Sequence, residues 1–293
     1  MKKALLAVLV YVLISQLLAF AIAIVITKIL WINTLNGIPV SILAPSMAVS
    51  IIIAILVCWK GLKVMRIPET FHTPRIKWSW ALMAIVACIL GDFSGNLLTE
   101  IVKLPDLLKN DMVELINNNW GILVATILAP ISEELIFREG VCGYLARNGM
   151  DPVKAIWVSA VLFGLIHGNP AQVFIAMLVG LMLGVIYIKT GNIVLTSIIH
   201  ILNNAFAVTQ MRLLGNKADD FSMVEWVGGY AVAGICIVVG LALSFCLLKI
   251  LWNGLSPNPS PVGEGDLSVG EGNLSVGEEN LSVGEENQSK MNK

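Results

Sequence analysis

The chain has 293 residues, 57% of them apolar and 13% charged, with a formal net charge of −1. A charged share about half that of an average soluble domain excludes an ordinary water-soluble globule, and nothing in the balance suggests a nucleic-acid surface. From Ser256 onward there are seven acidic and two basic residues, so the tail carries −5 and the body before it +4. A modestly basic body around apolar runs fits cytoplasmic loops at a bilayer. The five cysteines, most of them in apolar runs (Cys58, Cys88, Cys236, Cys246), have neither a disulfide framework nor CxxC metal spacing.

Eight segments approach the 20 or so apolar residues that cross a hydrocarbon core. They run over Ala4–Leu30, Ile38–Trp59, Trp78–Leu98, Gly121–Phe137, Val153–His167, Ala171–Ile188, Ile193–Met211 and Trp226–Trp252. The predicted fold is therefore an all-α, polytopic membrane bundle of about eight helices. Trp31, Trp59, Trp78, Trp120, Trp226 and Trp252 fall at segment ends, where an indole prefers the headgroup layer. The first segment has a basic start and small residues around Ala19–Ala23, as a cleaved signal peptide would. Its apolar run continues through "IVITKILW", well beyond a signal core, so an uncleaved span is expected. The loop "KGLKVMRIPETFHTPRIK" holds five Lys or Arg against one Glu, which predicts a cytoplasmic loop and, by alternation, two cytoplasmic termini.

The tail is different in kind. "VGEGDLS", "VGEGNLS", "VGEENLS" and "VGEENQS" repeat a seven-residue unit from Val262 to Ser289. A glycine in every unit and Leu/Val spacings unlike those of a coiled coil oppose a helix. Low hydrophobicity after the Pro-rich "SPNPSP" predicts a disordered acidic extension. If it is cytoplasmic, the Asn-x-Ser matches at Asn273, Asn280 and Asn287 carry no meaning. The chain thus divides into N-terminal spans (1–118), a core (119–211), a last span (212–255) and the tail (256–293).

Inside the fourth segment, "ISEELIFREG" sets Glu133, Glu134, Arg138 and Glu139 directly after an apolar run. Pro130 has no amide to donate, so the carbonyl of Thr126 is expected to lose its helical partner and the helix to kink or widen. Glu134 and Arg138 are one turn apart and can pair. Adjacent glutamates project about 100° apart, which leaves Glu133 to face something else. A bland reading puts these charges at a helix end, snorkelling into headgroups.

Two of the three histidines argue against that reading. His72 lies in the basic loop, but "FGLIHGN" places Phe163 and His167 one turn apart, and "HILNNAF" does the same for His200 and Asn204. Ionisable groups in membrane spans are costly and tend to face the bundle interior or water. Three segments each carrying such a cluster are expected to meet in one site.

Glu-Glu-x-x-x-Arg, Phe-x-x-x-His and His-x-x-x-Asn, in this order, resemble the three motifs of the CPBP (Abi) family of intramembrane proteases. That family includes the CAAX prenyl endopeptidases and bacteriocin self-immunity proteins, and the likeness covers roughly Trp120 to Met211. The residue types suit hydrolysis, which requires a base for water and donors for the oxyanion. Glu133 is the candidate base, and His167 shares the water or protonates the leaving amine. His200 and Asn204 make an oxyanion pair. The resemblance implies the same roles, with Glu134 and Arg138 supporting the site; Phe163 is read as packing.

Two points stay open at this level. The fifth segment is short, so the polar turn "HGNPAQ" is expected inside the membrane, lined by protein or a wet cavity. Glu133, His167 and His200 could also bind zinc with an open position; without an HExxH a metal-free glutamate mechanism is favoured, and no other cofactor is implied. A non-enzymatic immunity or scaffold protein uses the same cavity for binding. A proton-coupled transporter would show repeated halves, and none are visible. The expected partners are the bilayer and a membrane-associated peptide or protein, prenylated or not; oligomeric state leaves no trace in the sequence.

Overall fold

The computed structural model describes residues 1–35, 37–67, 75–214 and 221–255. His72 and residues 256–293, with the repeats and their Asn-x-Ser matches, lie outside the described residues. Among the described residues every regular element is a helix. In chain order the helices are α1 (Lys2–Ile29), α2 (Val40–Gly61), α3 (Trp78–Val102), α4 (Lys109–Ile116), α5 (Asn119–Arg147), α6 (Pro152–Leu165), α7 (Pro170–Thr190), α8 (Ile193–Leu214), α9 (Met223–Trp226) and α10 (Tyr230–Gly254).

Seven of these, α1, α2, α3, α5, α7, α8 and α10, are long and apolar enough to cross a bilayer. The chain is thus a multi-pass integral membrane protein, as its composition requires. Helix α6 has 14 residues, which rise about 21 Å against a hydrocarbon core of about 30 Å. Of the eight expected segments, then, the fifth is a partial one. The fourth is longer than expected: its helix runs on from Phe137 to Arg147, carrying Arg138 and Glu139 inside the bundle.

Large apolar side chains remain exposed along the outer helices, among them Leu17, Phe20, Ile235, Val238 and Phe245. On a soluble protein this would be an aggregation surface; here it is the lipid-facing belt. Trp31, Trp78 and Trp226 stand exposed at helix ends, as the sequence suggests. Between helices, small residues allow close contact. A Cβ on Gly180 of α7 would lie 3.1 Å from the Cα of Ala160 on α6. Ser244 of α10 donates to the Ala87 carbonyl of α3 at 2.8 Å. The sides of α5, α6, α7 and α8 that face one another hold the polar side chains described next.

Candidate active site

Helix α5 is not a regular α-helix. It widens to π geometry over Val124–Leu128 and again over Glu134–Gly143. π turns concentrate at functional sites because each misaligns part of the carbonyl ladder. Here the misalignment can be followed atom by atom. The Ala129 amide bonds to the Val124 carbonyl, and the next residue, Pro130, has no amide to give. The Ala125 carbonyl is therefore left without a helical donor, a loss that α-helical spacing, which points to Thr126, does not foresee. The sequence has no means of announcing the extra residue per turn. Asn204 of α8 fills the gap, its Nδ2 donating to the Ala125 oxygen at 3.0 Å. Because a carbonyl only accepts, this contact fixes which end of the Asn204 amide faces α5, and one N–H remains for another acceptor.

Four residues on, the two glutamates meet one imidazole. Glu134 Oε1 lies 3.1 Å from Nδ1 of His200, and Glu133 Oε2 lies 3.7 Å from its Nε2. The expectation that adjacent glutamates could not face one point is thus corrected. An imidazole offers nitrogens on opposite edges, and two long carboxylate arms reach one each. The pair is not equivalent. Glu134 is fully buried and also meets Arg138 Nε at 3.0 Å, while Glu133 keeps 14% of its side chain exposed. With Arg138 balancing its charge, Glu134 acts as the acceptor that holds the proton of His200 on Nδ1 and orients the ring. The Glu133–Nε2 separation is too long for a hydrogen bond and short enough for both groups to act on one substrate oxygen or water.

Phe163, expected to be packing, is the hub of the site. Its ring stands edge-on to Phe137 and His167 at 5.1 Å and to His200 at 5.6 Å, and the Arg138 guanidinium lies 4.8 Å from its centroid. Arg138 has no exposed surface, and its terminal nitrogens find no hydrogen-bond acceptor among the described residues. The ring face supplies part of the missing counter-charge.

His167 is reached through this hub. Helix α6 ends at Leu165, so His167 sits in the turn beyond it rather than on the helix face. Its Nδ1 donates to the Phe163 carbonyl at 2.8 Å, which leaves Nε2 to accept in the neutral ring. No hydrogen bond joins His167 to Glu133, His200 or Asn204 among the described residues. In the polar turn that follows, Asn169 is fully buried and bonded to residues 106 and 107.

Sequence reasoning missed three features. Tyr11 of α1 hydrogen-bonds Ser132, beside Glu133, at 2.8 Å; a lone tyrosine in an apolar span was the available signal. Glu139, one turn past Glu134, gathers Arg147 at 2.8 Å, Arg66 at 3.7 Å, the Arg66 amide at 3.2 Å and the Tyr187 hydroxyl. This second ionic cluster ties the 64–66 loop to α5 and α7. The third is a groove of about 330 Å³ between α5 and α8, lined by Ile122, Thr126, Ala205, Val208, Thr209, Arg212 and Leu213. Thr126 and Ala205 are the chain neighbours of the bonded Ala125 and Asn204, so the groove opens beside the site. Among the described residues no three His, Cys, Asp or Glu side chains are grouped as around a metal ion. Glu133, His167 and His200, the residues that zinc would use in the alternative mechanism, do not form such a group in this geometry.

Residues 116–206, which hold all seven motif residues, match the profile of a family described as type II CAAX prenyl endopeptidase Rce1-like. Over 182 residues the chain is 24% identical to "UPF0177 protein YxdF" of Lactococcus lactis subsp. lactis (strain IL1403), covering 57% of this chain and 95% of that protein. Over 87 residues it is 30% identical to "Putative membrane peptidase YdiL" of Bacillus subtilis (strain 168), covering 30% of this chain and 35% of that one. No solved structure matches.

Proposed function

We propose that this chain, a multi-pass membrane protein whose residues 116–206 match the profile of the type II CAAX prenyl endopeptidase Rce1-like family, hydrolyses a peptide bond of a membrane-associated substrate. One observation carries the reading: a partly exposed carboxylate, Glu133, beside a histidine that a fully buried Glu134–Arg138 pair holds in one orientation. A structural ion pair alone needs no third, unpaired acid.

In this mechanism Glu133 takes a proton from water as the water oxygen bonds to the substrate carbonyl carbon. The carbonyl π electrons move onto oxygen, where the free N–H of Asn204 and, with His200 carrying a proton on both ring nitrogens, its Nε2–H stabilise the negative charge. Collapse breaks the C–N bond. The leaving nitrogen takes a proton from Glu133 directly or by way of His167, whose Nε2 is available to relay it. The products are a carboxylic acid, which releases its proton to solvent, and an amine, with the enzyme returned to its starting state. The substrate segment approaches along the α5–α8 groove, whose mixed lining of apolar side chains with Thr126, Thr209 and Arg212 suits a peptide of a lipid-anchored or membrane-bound protein. The basic loop at residues 60–77 and both termini face the cytoplasm in this proposal. A prenylated CAAX-type peptide is the first substrate to try.

The test is cleavage of a lipid-anchored fluorogenic peptide by detergent-purified protein. Asn204→Ala is expected to lower the rate about 10²–10³-fold, the usual loss for one oxyanion donor, and stringent chelation to leave it unchanged. Stoichiometric zinc that disappears in His167→Ala and His200→Ala would replace the glutamate mechanism with a metal-dependent one using the same residues.

A further inference from the structure

The turn that carries His167 is held by a device outside the three motifs. Between α6 and α7 the chain reverses over Ile166–Asn169, with Gly168 at a φ of +62° that favours glycine. Asn169 occupies the N-cap position of α7, yet its side chain makes no capping bond to that helix. It reaches instead to the loop that follows α3. Its Nδ2 donates to Asp106 Oδ1 at 2.7 Å, and its Oδ1 accepts from the Leu107 amide at 2.9 Å. The Ala171 amide adds a bond to the Pro105 carbonyl at 3.3 Å. Asp106 is itself set by the Leu108 amide, which reaches the same Oδ1 at 3.3 Å. Asn169 has no exposed surface at all. A buried amide that spends donor and acceptor on two consecutive residues of another loop fixes its own backbone in position and direction.

We infer that the Asn169–Asp106 latch is a positioning device for His167, two residues away. The Phe163 carbonyl fixes the ring's tautomer and rotation. Backbone bonds tie residues 166–168 to the end of α6 (Ile166 to Leu162 at 3.2 Å, His167 to Gly164 at 3.1 Å, Gly168 to Leu165 at 3.3 Å), and they leave the far side of the turn, where the chain enters α7, to be held from elsewhere. The latch supplies that constraint, so that Nε2 of His167 stays at a constant distance from the reacting centre. The inference rests on the proposed role of His167 in peptide hydrolysis.

The pair can be broken and rebuilt. Asn169→Asp puts a second carboxylate against Asp106 and breaks the latch. Asp106→Asn keeps an oxygen for the Asn169 amide and leaves it intact. The double variant restores an amide-to-carboxylate bond with the partners exchanged, and its residue 169 still accepts from Leu107. Steady-state cleavage of the fluorogenic peptide should fall toward the 10²-fold or so that a misplaced catalytic group costs in Asn169→Asp, in kcat with KM little changed. It should stay near the parent rate in Asp106→Asn and return in the double variant. A second readout does not depend on activity: carbethoxylation of His167 by diethyl pyrocarbonate, followed by mass spectrometry in all four proteins. Its rate should change in Asn169→Asp and return to the parent value in the double variant. Equal His167 reactivity in all four proteins would overturn the latch whether or not peptide is cleaved. Normal kcat in Asn169→Asp, with His167→Ala inactive, would overturn it while leaving the hydrolase reading standing. Loss of cleavage in Asn169→Asp without recovery in the double variant would also reject it.

Discussion

Helix α5 carries two buried ionic clusters one turn apart, and they are built on opposite plans. Around Glu139 the groups close on one another. Arg147 at 2.8 Å, the Arg66 amide at 3.2 Å and a tyrosine hydroxyl converge on one carboxylate, with the Arg66 guanidinium farther off at 3.7 Å. Arg147 also donates to the Val64 carbonyl at 3.4 Å and the Glu139 carbonyl at 3.3 Å. Around Glu134 the groups stop short of closure. The Glu134–Arg138 pair is sealed, but Glu133 and His200 stand 3.7 Å apart, and the Nε2 of His167 has no partner among the described residues. A closed cluster can only hold helices together. One that leaves an acid, an imidazole edge and an amide N–H uncommitted can act on something that enters.

The contrast predicts that stability and activity separate along one helix. Glu139→Gln should lower unfolding stability by about 3–5 kcal/mol, the cost of leaving a buried charge without its partner. Activity should fall only with the folded fraction. Thermal unfolding in detergent, alongside kcat per folded molecule, measures both. A tenfold drop in kcat at unchanged stability would merge the two clusters into one site. Tyr187→Phe removes a single donor to a charged acceptor and should cost less, about 1.5–3 kcal/mol. The smallest effect belongs to the tail. Both clusters precede Leu255, so a chain ending there should insert and cleave like the full protein. Loss of cleavage with normal insertion would mean that the acidic repeats take part in the reaction.

Much of the site could be read in advance, for a reason that also marks the limit. Glu134 with Arg138 is a one-turn relation, and simple helical spacing is enough to see it. That polar groups of three segments should meet was expected from the cost of placing them in lipid. The glutamates do meet His200, while Asn204 bonds to the α5 backbone and, among the described residues, His167 is linked to His200 only through the Phe163 ring. What stayed hidden depends on departures from α geometry or on distant partners. The extra residue in the turn at Val124–Leu128 left the Ala125 carbonyl without a helical donor, which gave Asn204 its anchor. The Glu139 cluster joins residues 48 and 73 positions apart in sequence, and an apolar run judged to end at Phe137 gave no reason to seek partners for Glu139. The fifth span was legible as short, but not that His167 would lie beyond its end.

The most direct measurement is the cleavage rate of Glu133→Gln beside its thermal unfolding curve. Glutamine keeps the size and polarity of the side chain and removes the base. The rate should fall by several orders of magnitude, further than for Asn204→Ala, while the unfolding temperature stays near that of the parent, because Glu133 makes no closed ion pair. Full activity in Glu133→Gln would contradict the account at its centre.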